Sequence, residues 1–379
     1  MPPIRQPLTP YFVPSVFSFR AGTTQASAND YVFDLLHPSF EEQGSLFVSL
    51  EDLQRAMGPQ METRTENHKV FLKLEKGEIS AEMQTREGHA YLPVSSLFQE
   101  QLGYFVQWLD TYKGRICVIA QEKPARLDSF GQAYNFTRTV GFLRRAFYME
   151  EVGQLVPYSL YIPTYYQPEK PMKMAVVLHG LMGGDVLEKA GPNGLFRAAE
   201  QNGYLLCAPT CYARGMHGSP FPMARDFVPA DVDPANPAGL DEEQQKIYPL
   251  CEKADMTAVE WTMKRYSIDK DNVFLFGNSM GGDGTFHLGQ KYNQLWRAIA
   301  PCGGGPDLRF YPMERLKDLP VHLLVGTEDP GYDIINGLYE QLSAQGVEAS
   351  ISRVGGEPHG NAWIAAIDEI FAFFNQHTV

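Results

Sequence analysis

The sequence predicts an α/β protein: a doubly wound, mostly parallel sheet, preceded by a smaller α+β domain made of two repeats. Three observations point there. From residue 173 onward, short apolar runs alternate with amphipathic stretches of helical length, the pattern of strands joined by crossover helices. NVFLFG (272–277) runs straight into Gly277-Asn278-Ser279-Met280-Gly281, a G-x-S-x-G turn between a buried strand and a helix. Residues 31–120 also repeat themselves: LFVSLEDLQRAMG (46–58) aligns with YLPVSSLFQEQLG (91–103), an offset of 45 residues.

The chain has 379 residues, 44% hydrophobic and 20% charged, enough for two domains with a sizeable core. A net charge of −13 and no lysine/arginine block argue against a nucleic-acid partner. No apolar stretch reaches the roughly 18 residues of a membrane span. The opening MPPIRQPLTPYFVPSVFSFR is too proline-rich for a signal peptide, which predicts a cytoplasmic protein, or a secreted or cell-surface one if a signal has been removed. Five scattered cysteines (Cys117, Cys207, Cys211, Cys251, Cys302) favour reduced thiols, with a Cys211–Cys251 clip as the alternative. The nine histidines form no H-E-x-x-H or C-x-x-C grouping, so neither a metal site nor a cofactor is expected.

Along the chain, residues 1–30 read as an irregular or edge-strand lead-in. Each repeat reads as a short strand, an amphipathic helix stopped by Gly58 or Gly103, then strands, with VFLKLE (70–75) answering RICVIA (115–120). The first copy diverges at residues 60–65, where the second has FVQWLD. The polar stretch 121–138 predicts a linker, dividing the chain into 1–125, a linker at 126–139, and 140–379. Next come an opening strand pair, the strand KMAVVL before His179-Gly180, and the strand YLLCAP. The helix ADMTAVEWTMKRY (254–266) leads to the strand before Ser279. RAIAPC, VHLLVG and EASISRV are further strands, and NAWIAAIDEIFAFFNQ closes the chain. Residues 212–253 break this rhythm. A loop of that length, holding Phe221, Phe227 and Tyr248, predicts a substrate loop or cap over the site.

The chemistry follows from three strand ends. A serine hydroxyl needs a base to take its proton. His359, in the turn GEPHG, is the candidate base, and GTED offers Glu328 and Asp329 as the carboxylate that orients it. Ser279, Asp329 and His359 stand in the order Ser…Asp/Glu…His. Asp329 could instead cap the helix after Pro330. Asp283, one turn after Ser279, is a candidate for local pairing or substrate contact; Trp363 and His287 read as packing residues.

The GNSMG elbow, the triad order and the His179-Gly180-Leu181-Met182-Gly183-Gly184 loop resemble the α/β-hydrolase superfamily over residues 140–379. Within it the chain is most similar to carboxylesterases and to polyhydroxybutyrate-depolymerase-like and feruloyl-esterase-like enzymes. The resemblance implies Asp329 as the acid, from the pattern G-x-x-D. It implies an oxyanion hole formed by the Met280 N–H and an N–H of the upstream loop, assigned to Leu181. It also implies an acyl-enzyme mechanism on small or aryl esters, feruloyl-type included. The alternatives are a serine peptidase on the same fold and a non-catalytic binding protein on a hydrolase scaffold. The repeats resemble the copper-amine-oxidase N-terminal-like (stalk) module. Its His68 and His89 lack ligand spacing, and its expected roles are homo-oligomer, cell-surface or polysaccharide contact.

Overall fold

The computed structural model describes residues 11–181, 183–224 and 232–379, which group into two compact units. One comprises Phe12–Thr139 and Leu143–Pro157; the other holds Tyr11, Val140–Phe142 and the described residues from Tyr158 to Val379.

In the N-terminal unit the repeat is structural. Strand Ser45–Ser49 and helix Leu50–Met57 recur 45 residues later as His89–Pro93 and Val94–Leu102. The hairpin Glu62–Glu66/Lys69–Leu74 recurs as Phe105–Thr111/Gly114–Ala120. The two copies pair antiparallel, with Val48 opposite Leu92 and Phe47 opposite Pro93. Exchanging each residue for its mate 45 positions on maps one of these pairs onto the other, so a local two-fold relates the repeats. Leu46, Val48, Leu53, Val70, Leu92, Val94 and Phe98 form the shared core.

Three expectations need correction here. Residues 62–66 are a strand after all; its sequence ETRTE shows no apolar alternation because it is a sheet edge with both faces largely exposed. The lead-in contains an interior strand, Val16–Arg20, paired to Gly114–Ala120 on one side and Gln25–Ala28 on the other. The linker expected at 126–139 holds helix Ser129–Thr137. Asp128 caps it by accepting the Gly131 N–H, and Ala133 and Phe136 pack with Val32, Leu109 and Ile116. The boundary also moves from residue 140, since Ala146 and Leu155 belong to the N-terminal core.

The second unit is built on β1 (Gln154–Ile162, whose last residues lie in this unit), β2 (Met172–Leu178), β3 (Tyr204–Pro209), β4 (Ile268–Asn278), β5 (Ala298–Cys302), β6 (Val321–Gly326) and β7 (Ala349–Val354). Their order in the sheet is β1-β3-β2-β4-β5-β6-β7. Only β1 runs antiparallel to its neighbour; every later pairing is parallel. This is the α/β-hydrolase arrangement. The helices are α1 (Val186–Ala190), α2 (Phe196–Asn202), α3 (Glu242–Arg265), α4 (Met280–Lys291), α5 (Tyr332–Ala344), α6 (Ala362–Ala365) and α7 (Ile367–Gln376). Phe274, Phe276, Phe371, Phe374 and Trp363 pack one face of the sheet, which accounts for the apolar closing helix.

Helix α3 begins twelve residues before the expected start. Pro249 interrupts its sequence pattern, but an Asp241/Gln244 capping box and two acidic residues in the first turn start it upstream. The long excursion is therefore shorter than expected, and Tyr248 stands on a helix. No helix among the described residues is long and apolar enough to cross a membrane.

Candidate active site

Ser279 sits between β4 and α4 with φ 61° and ψ −119°, a strained left-handed-side conformation for a residue with a Cβ. The flanking glycines permit this close crossing. A Cβ at Gly277 would lie 2.6 Å from the Gly281 carbonyl oxygen, and one at Gly281 would strike the Leu178 carbonyl. The Ser279 N–H donates to the Cys302 carbonyl at 2.8 Å, tying the turn to β5.

Three loop residues meet at the carboxyl edge of the sheet, where sites of such folds lie. His359 Nε2 is 2.8 Å from Ser279 Oγ, and His359 Nδ1 is 2.7 Å from Asp329 Oδ2. Asp329 Oδ1 accepts the Gly331 N–H at 2.7 Å. The Asp329 side chain is 3% exposed and that of His359 31%, so the carboxylate is dry and the imidazole reachable. Glu328 is exposed and its backbone N–H goes to the Glu357 carbonyl. Asp329 braces the turn before α5, whose N-cap is Gly331, while also facing the imidazole.

Gly303 is a site residue that the sequence reading missed. Its φ is +57°, and a Cβ there would lie 3.3 Å from Asn278 Oδ1, Asp329 Oδ2 and His359 Cε1 alike. The only sequence signal was the run Gly303-Gly304-Gly305 after β5.

Met280 opens α4, so its N–H has no carbonyl one turn back and is available to a ligand. Leu181 lies in a turn closed by the Gly183 N–H on the Gly180 carbonyl at 2.9 Å. A Cβ on Gly180 would be 3.7 Å from the Ser279 Cβ, so this turn borders the serine. His179 is buried, with Nδ1 2.7 Å from the Gly180 carbonyl oxygen and Nε2 2.7 Å from that of Thr210. Burial, helped by nearby His217, pushes its pKa down to about 3. The ring is therefore neutral, and its single proton serves one of the two carbonyls.

Of the expected substrate residues, Phe221 and Tyr248 contact groups other than the triad residues in what the structure describes. The Phe221 ring meets His287 and Tyr311, and Tyr248 is buried on α3, where it lines a cavity with Glu252, His287 and Lys291. Phe227 lies outside the described residues. Among the described residues of this segment, 222–224 approach Asp329: the Ala224 N–H donates to the Gly305 carbonyl, and the Asp307 N–H to that of Pro222. Met223 and Ala224 wall a cavity of about 20 Å³ with Asp283, Gly303, Asp329 and Ile335, roughly the space of one water. Position in sequence could not separate Met223 from Phe221, because only pairing with 305–307 turns this face toward the site.

All five cysteines are buried free thiols, so the Cys211–Cys251 clip is not formed. Burial lifts Cys117 and Cys207 to about 12, keeping both protonated. One cluster has no counterpart in the sequence reading. Cys211, His217 and Asp255 bring a sulfur, a ring nitrogen and a carboxylate oxygen within 4.8 Å of one another.

No family model and no curated protein matches the chain. Among solved structures, a fluorophosphonate-binding serine hydrolase of Staphylococcus aureus is similar at 14% identity and TM-score 0.47, over 62% of this chain and 98% of that one. A thermostable esterase is similar at 16% identity and TM-score 0.48, over 98% of both chains. A ferulic acid esterase of Anaeromyces mucronatus is similar at 18% identity and TM-score 0.43, over 61% of this chain and 88% of that one.

Proposed function

We propose that the protein is a serine-dependent carboxylic-ester hydrolase acting through an acyl-enzyme. The observation that carries this reading is the hydrogen-bonded series Asp329–His359–Ser279, its serine held on a strained turn. His359 Nε2 takes the Ser279 proton as Oγ attacks the acyl carbon. Asp329 holds the other ring nitrogen and stabilises the imidazolium. The N–H groups of Met280 and Leu181 receive the oxyanion. Collapse of the tetrahedral species expels the alcohol, which takes the proton from His359. A water then enters by the same route, releases the acid and restores the serine. The substrate is a small-molecule ester with a small or aryl acyl group. Met223 and Ala224 replace Phe221 and Tyr248 as the wall we assign to substrate selection.

The test is hydrolysis of p-nitrophenyl esters of graded acyl length by wild type and Ser279→Ala. The serine variant is expected to lose on the order of 10⁶ in kcat, the scale for removal of a triad nucleophile. Retention of a tenth of the activity, or fluorophosphonate labelling at another serine, would refute the assignment.

A further inference from the structure

We propose that His217 and Asp255 form a buried positioning pair that fixes the backbone at His179–Gly180 and so aims the Leu181 N–H at the acyl oxygen on Ser279. This rests on the ester-hydrolase reading and adds to it two residues outside the triad.

His179 is the first residue beyond the end of β2, so its carbonyl oxygen lies past the last ladder position. His217 Nε2 lies 3.0 Å from it. On the other side of the ring, His217 Nδ1 lies 2.6 Å from Asp255 Oδ2 on α3. Both side chains are fully buried. The carbonyl can only accept, so Nε2 carries a proton. Nδ1 and a carboxylate oxygen at hydrogen-bond distance share a second proton. Both nitrogens are thus committed, and the ring acts as a rigid strut from α3 to the start of the Gly180–Gly183 turn.

The strut is held in place by its neighbours. His217 has φ 51°, and a Cβ at Gly284 of α4 would lie 2.7 Å from the His217 Cβ. Only glycine on the helix carrying Ser279 leaves room for the imidazole. A Cβ at Gly281 would lie 2.9 Å from the His179 carbonyl oxygen, so the braced group also abuts the first turn of α4. The His179 and His217 rings are 4.8 Å apart. One positive charge fits there and two do not. Burial holds His179 neutral; burial also lowers the His217 pKa, but the Asp255 carboxylate beside it raises it on balance, and burial raises Asp255 in turn, so the proton between these two groups is shared.

The nearby Cys211 sulfur would allow a metal reading of the same cluster. Ligand separation argues against it. Two ligands bonded to one tetrahedral zinc at about 2.0–2.1 Å lie roughly 3.3 Å apart. The Nδ1–Oδ2 separation is 2.6 Å, a distance closed around a proton, so these two atoms do not ligate one metal ion.

The experiment compares His217→Gln with His217→Asn, using p-nitrophenyl acetate and normalising turnover to the serine labelled by a fluorophosphonate. A glutamine amide reaches the Nε2 position and keeps a donor on the His179 carbonyl; asparagine is one methylene too short. His217→Asn is expected to lose tenfold or more in kcat with KM little changed, bounded by the about 10²–10³ that loss of an oxyanion donor costs. His217→Gln recovers most of that loss. Equal kcat for wild type and His217→Asn overturns the inference, as does one equivalent of bound zinc in the purified protein. Nitrogen NMR of wild type is a check independent of variant folding: His217 Nε2 carries a proton at neutral pH, and an unprotonated Nε2 overturns the assignment. A wild type that neither hydrolyses the ester nor takes the label defeats the proposed function itself. An active wild type with an unaffected His217→Asn defeats this inference alone.

Discussion

Two histidine–aspartate pairs stand near the same sheet edge and differ in what faces the second ring nitrogen. In His359–Asp329 the Nδ1–Oδ2 distance is 2.7 Å; in His217–Asp255 it is 2.6 Å. At Nε2, however, His359 meets a serine hydroxyl and His217 a backbone carbonyl. A hydroxyl can donate, so His359 can leave Nε2 unprotonated and act as a base. A carbonyl only accepts, so His217 must keep its proton there. Exposure follows the same division: the His359 side chain is 31% exposed, whereas His217 is sealed. The same pair of residue types thus suits a proton shuttle in one place and a fixed strut in the other.

The sharpest way to break this comparison is the same substitution in both carboxylates. An asparagine at 329 can donate its amide N–H to Nδ1, which leaves the proton on Nε2 and removes the acceptor Ser279 needs. Asp329→Asn is expected to lower kcat by about 10⁴ with the fold intact, the cost of a wrong tautomer in a triad. Glu328→Gln, on an exposed side chain, should change little. Stopped-assay kinetics on p-nitrophenyl acetate measures both, and the reverse ranking would mean the acid is Glu328.

Asp255→Asn makes the same tautomer, but there it is the required one. The asparagine N–H reaches Nδ1, Nε2–H stays on the His179 carbonyl, and the strut survives as a neutral ring. Turnover per labelled serine should fall less than about tenfold, a small cost beside the triad substitution. Stability should drop by about 1–3 kcal/mol, because a charge-assisted buried hydrogen bond becomes a neutral one. Urea unfolding gives the second number. A loss of activity as large as that of Asp329→Asn would show that the buried pair takes part in proton transfer.

Ser279 and Asp329 were legible because each follows a buried apolar strand that ends in a polar turn, whereas His359 follows a half-exposed strand and was legible from the turn GEPHG and its place after them in the chain. The hydrolase strands were legible for the same reason, and the repeat because self-similarity needs no structure. His217 and Asp255 are 38 residues apart, on an irregular turn and inside a helix whose start Pro249 obscures, so no local pattern joins them. Gly303 shows the same limit: a glycine's role depends on what its absent Cβ would strike, which is a tertiary fact. The edge strand 62–66 was lost because no apolar position marks it, and helix 129–137 because it is only nine residues long, carries Gly131 near its start and sits in a polar, proline-containing stretch.

A third histidine–carboxylate pair, His287–Glu252, sharpens the contrast at smaller scale through stability rather than turnover. Glu252 accepts from His287 Nε2 at 2.7 Å, Lys291 Nζ at 2.8 Å and the Tyr292 hydroxyl at 2.6 Å. Burial disfavours its charged form, but these three donors together outweigh that and bring its pKa down from 4.5 to about 2. A carboxyl group more acidic in the folded state than in the unfolded one stabilises the fold above the unfolded pKa. That contribution is fully present above about pH 4.5 and is lost as pH falls toward about 2. Burial instead lowers the basicity of His287, so the ring is a neutral donor there. Glu252→Gln should therefore lower stability at pH 6 by a few kcal/mol at most, and flatten the loss of stability between pH 5 and pH 2.5. Urea midpoints of both proteins across that range measure it. Parallel curves would show that Glu252 titrates alike in the folded and unfolded chains and that its donors add no net preference for the charged form.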